Sequence, residues 1–167
     1  MKTKGTRHNA REFALCILYS YEIQQRADYH PFNPPPPEIW SGEEDFSIPH
    51  SSETYALRLV HGVMDCLEEI DEILRTQSIQ WRLERMSLID KNILRLAVYE
   101  MFHEPRSPLR VVLDEALELA KGYGDDQSFR FVNGLLDPIA KKVEEAGSGA
   151  RELPRASSPE SKDASAG

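Results

Sequence analysis

Apolar residues recur at i, i+3, i+4 and i+7 through Ala10, Phe13, Ala14, Ile17, Leu18 and Tyr21, the spacing that lays one apolar stripe along a helix. The first element is therefore an amphipathic helix from about Arg7 to Arg26. A second run, Tyr55, Leu59, Val63, Leu67, Ile70 and Leu74, predicts one long helix over about Ser52 to Thr76. A short element with Ile79, Trp81, Leu83 and Met86 follows. Ser87-Leu88-Ile89-Asp90 then carries a capping-box pattern, in which a serine and an acid three residues on satisfy the free amides of a helix start. Behind it Ile89, Ile93, Leu94, Leu96, Ala97, Val98 and Met101 spread around most of the circumference of a helix over Ile89 to Phe102. A helix that is apolar nearly all round belongs in the centre of a bundle.

Proline and glycine punctuate the rest. Pro31, the run Pro34 to Pro37, Gly42 and Pro49 make residues 27–51 an extended, acidic connector, because no helix crosses four prolines. Its Phe32, Trp40 and Phe46 are expected to dock on the domain surface. Pro105 and Pro108 separate the next helix, with Ser107 placed as N-cap and Pro108 at the first helical position. That helix ends at Lys121 and Gly122, a basic last turn with a glycine stop. The last helix begins near Ser128, with Asp125 and Asp126 placed to cap it, and carries Phe129, Val132, Leu136 and Ile139 on one stripe. Gly134 lies inside this helix, where glycine costs roughly 1 kcal/mol against alanine, and the expected compensation is close approach of a neighbouring helix. Pro138 removes one backbone hydrogen bond and is expected to bend the helix near Gly134. From Gly147 the chain turns Gly, Ser, Ala and Pro rich, a disordered tail over 147–167. No strand pattern or repeat is present. The fold class is all-α, a bundle of about six or seven helices within residues 1–146.

Composition changes this picture in one respect. A chain of 167 residues, 40% hydrophobic and 29% charged, suits one globular domain with its own core. Its net charge of −8 argues against a nucleic-acid partner until the distribution is read. Lys2, Lys4, Arg7 and Arg11 occupy residues 1–11 without an acid, whereas Asp28, Glu38, Glu43, Glu44, Asp45 and Glu53 occupy 28–53 without Lys or Arg. The acidic connector is thus a candidate competitor for the basic helix start. No apolar run reaches about 18 residues and no apolar segment follows the N-terminal charges, so a cytoplasmic location with no membrane anchor is expected. Cys16 and Cys66 sit among apolar neighbours without a second Cys or a His at metal-ligand spacing, and read as small buried hydrophobes rather than metal ligands. His8, His30, His50, His61 and His103 are scattered singly, and no H-E-x-x-H, phosphate loop or nucleophile elbow occurs. The sequence offers no catalytic residue and reads as a binding protein, not an enzyme.

Several short segments carry a family resemblance in the right order: Ala10-Arg11-Glu12, Leu18-Tyr19-Ser20, Trp81 to Arg85, Ile93-Leu94-Arg95-Leu96-Ala97, Tyr99-Glu100, Val112 to Ala116, Leu119-Ala120-Lys121 and Phe129 to Asp137. Together they resemble the NusB family of bacterial transcription antitermination factors. The resemblance implies two packed helical subdomains, no cofactor, and binding of single-stranded boxA RNA of ribosomal RNA operons. It implies as partners the small-subunit ribosomal protein NusE and the RNA polymerase elongation complex, whose processive elongation the assembly supports. It places a first RNA surface at Lys2, Lys4, Arg7, His8 and Arg11, where counterion release and helix N-terminal amides favour phosphate. Here Arg7-His8-Asn9 stands where other members have consecutive arginines, and carries less charge. A second RNA surface runs from Tyr123 to Phe131, with Tyr123 stacking on an unpaired base and Gln127 and Arg130 as polar and phosphate contacts. Of Phe129 and Phe131, at least one is expected in the core.

The surface for the protein partner maps by the same resemblance to Tyr19, Glu84 and Asp90, acids there suiting a basic ribosomal protein. Asp114 replaces the asparagine of many members, and Glu115 and Asn133 are expected to satisfy one another or the backbone. The alternative reading is a protein-interaction or dimerisation module of the same fold with little RNA affinity, in which a homodimer hides the RNA face. The acidic balance, the weakened basic cluster and the proline-rich connector favour it.

Overall fold

The structure, a computed structural model, describes residues 6–26, 50–78 and 82–147. Expectations for Lys2, Lys4, nearly all of the proline-rich connector, Trp81 and the tail beyond Gly147 lie outside the described residues. Six α-helices and one 3-10 turn make up the described part, without a strand: α1 Thr6–Arg26, α2 His50–Asp65, α3 Leu67–Gln77, the 3-10 turn Leu83–Arg85, α4 Leu88–His103, α5 Leu109–Tyr123 and α6 Ser128–Ala146.

The helix read as central is central. Ile93, Leu94, Leu96, Ala97, Val98 and Met101 of α4 are buried, and each of the other five helices packs against α4. α1 and α2 pair with each other, as do α5 and α6, and α4 lies against both pairs. Ser87 caps α4 by accepting the Asp90 amide at 3.1 Å, the forward bond of the capping pattern. Each fully buried Leu or Ile in such a core contributes roughly 1.5–3 kcal/mol.

Two polar clamps fix α1 on α4. Near the start of α1, Arg11 forks onto Glu100, Nε to Oε1 at 2.8 Å and Nη2 to Oε2 at 2.7 Å, all of it buried. The Tyr55 hydroxyl donates to the same carboxylate at 3.0 Å; burial, and then the Glu100 charge, push that phenol up to about 12, so it remains a donor. Near the end of α1, Glu22 meets Lys91, accepts from Asn92 at 3.1 Å and from Arg95 at 3.2 Å. Arg95 also forks onto Asp71 of α3 through two bonds of 2.8 Å. Early α1 thus faces late α4 and late α1 faces early α4, which makes the two helices antiparallel. Burial works to raise the Glu22 carboxyl pKa, but Lys91, Arg95 and Asn92 outweigh it and hold the group below its ordinary range.

The structure corrects five local expectations. The single helix over 52–76 is two helices, because Cys66 at φ −111°, ψ 23° turns the chain. The ladder nonetheless bridges the turn, Cys66 N to Gly62 O at 3.1 Å and Ile70 N to Cys66 O at 3.0 Å. The turn lets α2 follow α1 while α3 reaches α6. Gly134 is exposed, and a Cβ there would meet nothing within 4 Å, so no helix approaches it. The close approach is at Gly62, where a Cβ would fall on the Tyr99 ring. Ser107 is not the N-cap of α5: that helix begins one residue later, after Pro108, and the Ser107 hydroxyl accepts from Arg7 Nη1 at 3.1 Å. Gly122 lies inside α5, and the C-cap is Gly124 in an extended conformation, where a Cβ would run into Ser128. Cys16 and Cys66 are free but only partly buried. Of the two aspartates expected to cap α6, Asp125 does so, its Oδ1 accepting the amides of Gln127 at 2.8 Å and Ser128 at 3.0 Å, whereas Asp126 is exposed and makes no such bond; Pro138 lies inside that helix, as expected.

Three outcomes follow, each readable by urea denaturation. Gly62→Ala costs about 1–3 kcal/mol through overpacking against Tyr99, whereas Gly134→Ala gains about 0.5–1 kcal/mol by restricting the unfolded chain; equal midpoints would contradict the packing described. Arg11→Ala strands the buried Glu100 charge and costs about 3–5 kcal/mol, and a loss below 1 kcal/mol would refute the clamp. Because the folded pKa of Glu22 is depressed, its contribution is complete above the ordinary value of 4.5 and disappears as pH falls through the lower folded value. Glu22→Gln therefore flattens the acid limb of the stability profile, and an unchanged limb would count against that role.

Candidate nucleic-acid interface

The two surface segments singled out in the sequence come together along one seam between α1 and α5. Arg7 reaches Ser107 just before α5, and His8 Nδ1 lies 2.7 Å from Glu115 Oε2. One turn further, Glu12 lies 3.2 Å from His8 Nε2 and takes the hydrogen bond of the Tyr123 hydroxyl at the end of α5. The two helices therefore run in the same sense along the seam. Burial, and then the Glu12 charge, push the Tyr123 phenol up to about 12. Its hydroxyl is held while 43% of the residue stays open to solvent.

Beyond Tyr123 the chain turns tightly into α6, and the Asp125 carboxylate is used for capping. Gln127 and Arg130 are exposed on the far side of that turn. Phe129 is 36% exposed with Lys121 Nζ 4.9 Å from its ring centroid, whereas Phe131 packs against the core. Phe131 is thus the aromatic of the pair that meets the core, Phe129 stands open beside the expected contacts, and Lys121, outside the expected segment, joins them. The stripe is real, with Val132, Leu136 and Ile139 buried, but its first residue is open to solvent. A basic residue eight positions earlier, closing the preceding helix, was the available signal.

Two residues expected at the RNA surface serve the interior instead. Arg11 is 3% exposed and fully engaged with Glu100, with Glu115 Oε2 at 3.4 Å from Nη1. His8 is partly buried between Glu12 and Glu115. Acids absent from the first eleven residues are supplied by Glu12 in the next turn of α1 and by α4 and α5. Glu115 accordingly faces α1, not Asn133.

The residues expected at a protein partner are spread over three elements. Tyr19 and Ile23 are exposed one turn apart on α1. Glu22, between them, bonds Lys91 and Asn92, the neighbours of Asp90. Asp90 itself is buried, and its Oδ1 has no hydrogen-bond partner. Glu84 is exposed in the 3-10 turn, 3.8 Å from Arg75 Nε. Among the described residues no group of three or more His, Cys, Asp or Glu is placed to hold a metal ion, and no helix is long and apolar enough to cross a membrane.

Known proteins agree with this architecture. The family described as the NusB family matches residues 8–141. The transcription antitermination protein NusB of a Nitratiruptor species is 39% identical over 143 residues, covering 83% of this chain and 94% of that protein. The protein of the same name from Myxococcus xanthus is 39% identical over 137 residues, covering 81% and 95%. Among solved structures, T. maritima NusB superposes with a TM-score of 0.69 at 33% identity, over 85% of this chain and 94% of that one. A crystal structure of the antitermination factors NusB and NusE in complex with dsRNA gives 0.68 at 28% identity, over 82% and 97%. The matched span takes in α1, the α4 core and the α5–α6 turn alike, and on that ground the chain belongs to the NusB family.

Proposed function

We propose that this chain is a transcription antitermination factor that binds single-stranded boxA RNA of ribosomal RNA operons together with NusE, and so supports processive elongation by RNA polymerase in the cytoplasm. The observation that carries the reading is the exposed group at the α5–α6 turn, Lys121, Tyr123, Gln127, Phe129 and Arg130. Two aromatic rings beside two cations make a stacking platform next to phosphate contacts, the combination single-stranded nucleic acid needs. Arg7 lies further along the same seam, and Lys2 and Lys4 precede it in sequence. The relatives' names support the antitermination role, and the neighbouring NusB–NusE complex, solved with dsRNA, supports NusE and an RNA as partners. Exposed Tyr19, Ile23 and Glu84 are the surface proposed for the basic NusE, whereas Asp90, expected there from the sequence, is buried at the start of α4 and presents no carboxylate oxygen to a partner. The function needs binding groups only, and calls on no catalytic residue or cofactor.

One observation favours the second reading, an interaction or dimerisation module. With Arg11 and His8 engaged internally, fewer free cations remain on a chain of net charge −8.

Fluorescence anisotropy with a boxA single strand, across a salt series and with or without NusE, separates the two. The RNA reading expects Tyr123→Ala to lose about 1–3 kcal/mol of affinity, and Arg130→Ala to reduce the log–log salt slope by about 0.7. Absent binding at every salt concentration, alone and with NusE, combined with a dimer by light scattering, would establish the module instead.

A further inference from the structure

Three helices begin at one corner of the bundle. Ser52, in the first turn of α2, donates to the carbonyl of Thr6, the first residue of α1, at 2.9 Å. Arg7 reaches Ser107, two residues before α5 starts at Leu109. Each helix start carries unsatisfied amides and a partial positive charge of roughly half a unit. The N-cap of α5 is Pro108, which makes no side-chain hydrogen bond to the first amides.

Arginines surround this point. The Arg7 and Arg58 guanidinium carbons lie 5.3 and 5.0 Å from the centroid of the Tyr55 ring. Arg106 immediately precedes Ser107 and Arg110 is in the first turn of α5; both are exposed, and neither has an acidic partner among the described residues. Most acids at this end are committed elsewhere, the exception being the exposed Asp114 one turn beyond Arg110. Glu104 is buried and accepts from Arg58 at 2.9 Å, Glu100 is taken by Arg11 and Tyr55, and Glu53 lies 3.6 Å from His50. Arg7, Arg106 and Arg110 are therefore a local positive excess on an acidic chain, and the last two serve no described contact of the fold.

We propose that Arg106 and Arg110, beside the Arg7 of the N-terminal RNA surface, add a phosphate-contacting subsite at the start of α5, continuing the RNA track from the Tyr123 end of that helix; this rests on the RNA reading above. The seam between α1 and α5 joins the two ends, and the 15 residues of α5 span about 22 Å. A single strand within the roughly 4–16-nucleotide range of such sites covers that distance. Tyr55 is buried with its hydroxyl on Glu100, so this corner has no open ring for a base. It contacts phosphate and contributes affinity and register without sequence preference.

The test compares the parent, the double variant Arg106→Ala/Arg110→Ala and Arg130→Ala on two boxA-containing single strands of about 6 and about 15 nucleotides. A urea midpoint of the double variant equal to the parent's confirms that the fold is intact. The double variant should bind the short strand like the parent and the long strand about three- to tenfold more weakly, with a salt slope shallower by about 1.4 on the long strand. Unchanged affinity and slope on the long strand would overturn the subsite while leaving the RNA reading intact, provided that Arg130→Ala weakens both strands. Equal weakening on both strands would also overturn it, by placing the two arginines in the first site. Loss of NusE binding with RNA binding preserved would assign the corner to a protein partner instead. If the parent binds neither strand, the RNA reading fails and the subsite fails with it.

Discussion

The buried pair of Arg11 and Glu100 sets the terms for the rest of the molecule. A buried carboxylate on the most apolar helix of a bundle is tolerable only with its charge and its lone pairs answered, because desolvating it alone costs several kcal/mol. Arg11 and Tyr55 supply that answer from two different helices, so α1 and α2 must meet α4 at this level. Glu22 repeats the arrangement near the other end of α1 with Lys91, Asn92 and Arg95, and Arg95 ties in α3 through Asp71. An apolar stripe alone tolerates slippage. A slide of one turn, about 5.4 Å, would strand charges at both clamps, so the ion pairs fix the register that the hydrophobic contacts stabilise.

That register decides which cations remain for a ligand. Arg11 and His8 face inward to Glu100, Glu12 and Glu115, and what they do for the seam they cannot also do for phosphate. Exposed positive charge moves to the two ends of α5: Lys121 and Arg130 beside Tyr123 and Phe129 at one, Arg7, Arg106 and Arg110 at the other. Asp125, which by charge alone weakens the case for RNA at the α5–α6 turn, spends its carboxylate on the start of α6. The net charge of the chain is thus a poor guide to the field along this seam.

Sequence and structure part at identifiable places. Periodicity located α1 and α4, and the serine of Ser87-Leu88-Ile89-Asp90 placed the start of α4, because these signals are local and the residues that report them form the element themselves. The two glycines exchanged roles. Gly134 looked compensated by packing and is open, whereas Gly62, unremarked in its pattern, lies under Tyr99, and only the neighbouring helix distinguishes them. Ser107 has the residue type and position of an N-cap but is claimed by Arg7, a residue 100 positions away. The turn at Cys66 leaves no mark on the stripe that continues through it.

The sequence by itself determined the all-α class, the central helix, the cap at Ser87 and the family, since each is written in residue types at short spacings. The tertiary structure decided which charges are free. Whether an arginine near the N-terminus meets solvent or a carboxylate depends on acids 89 and 104 positions further along the chain, brought to it only when α4 and α5 pack against α1.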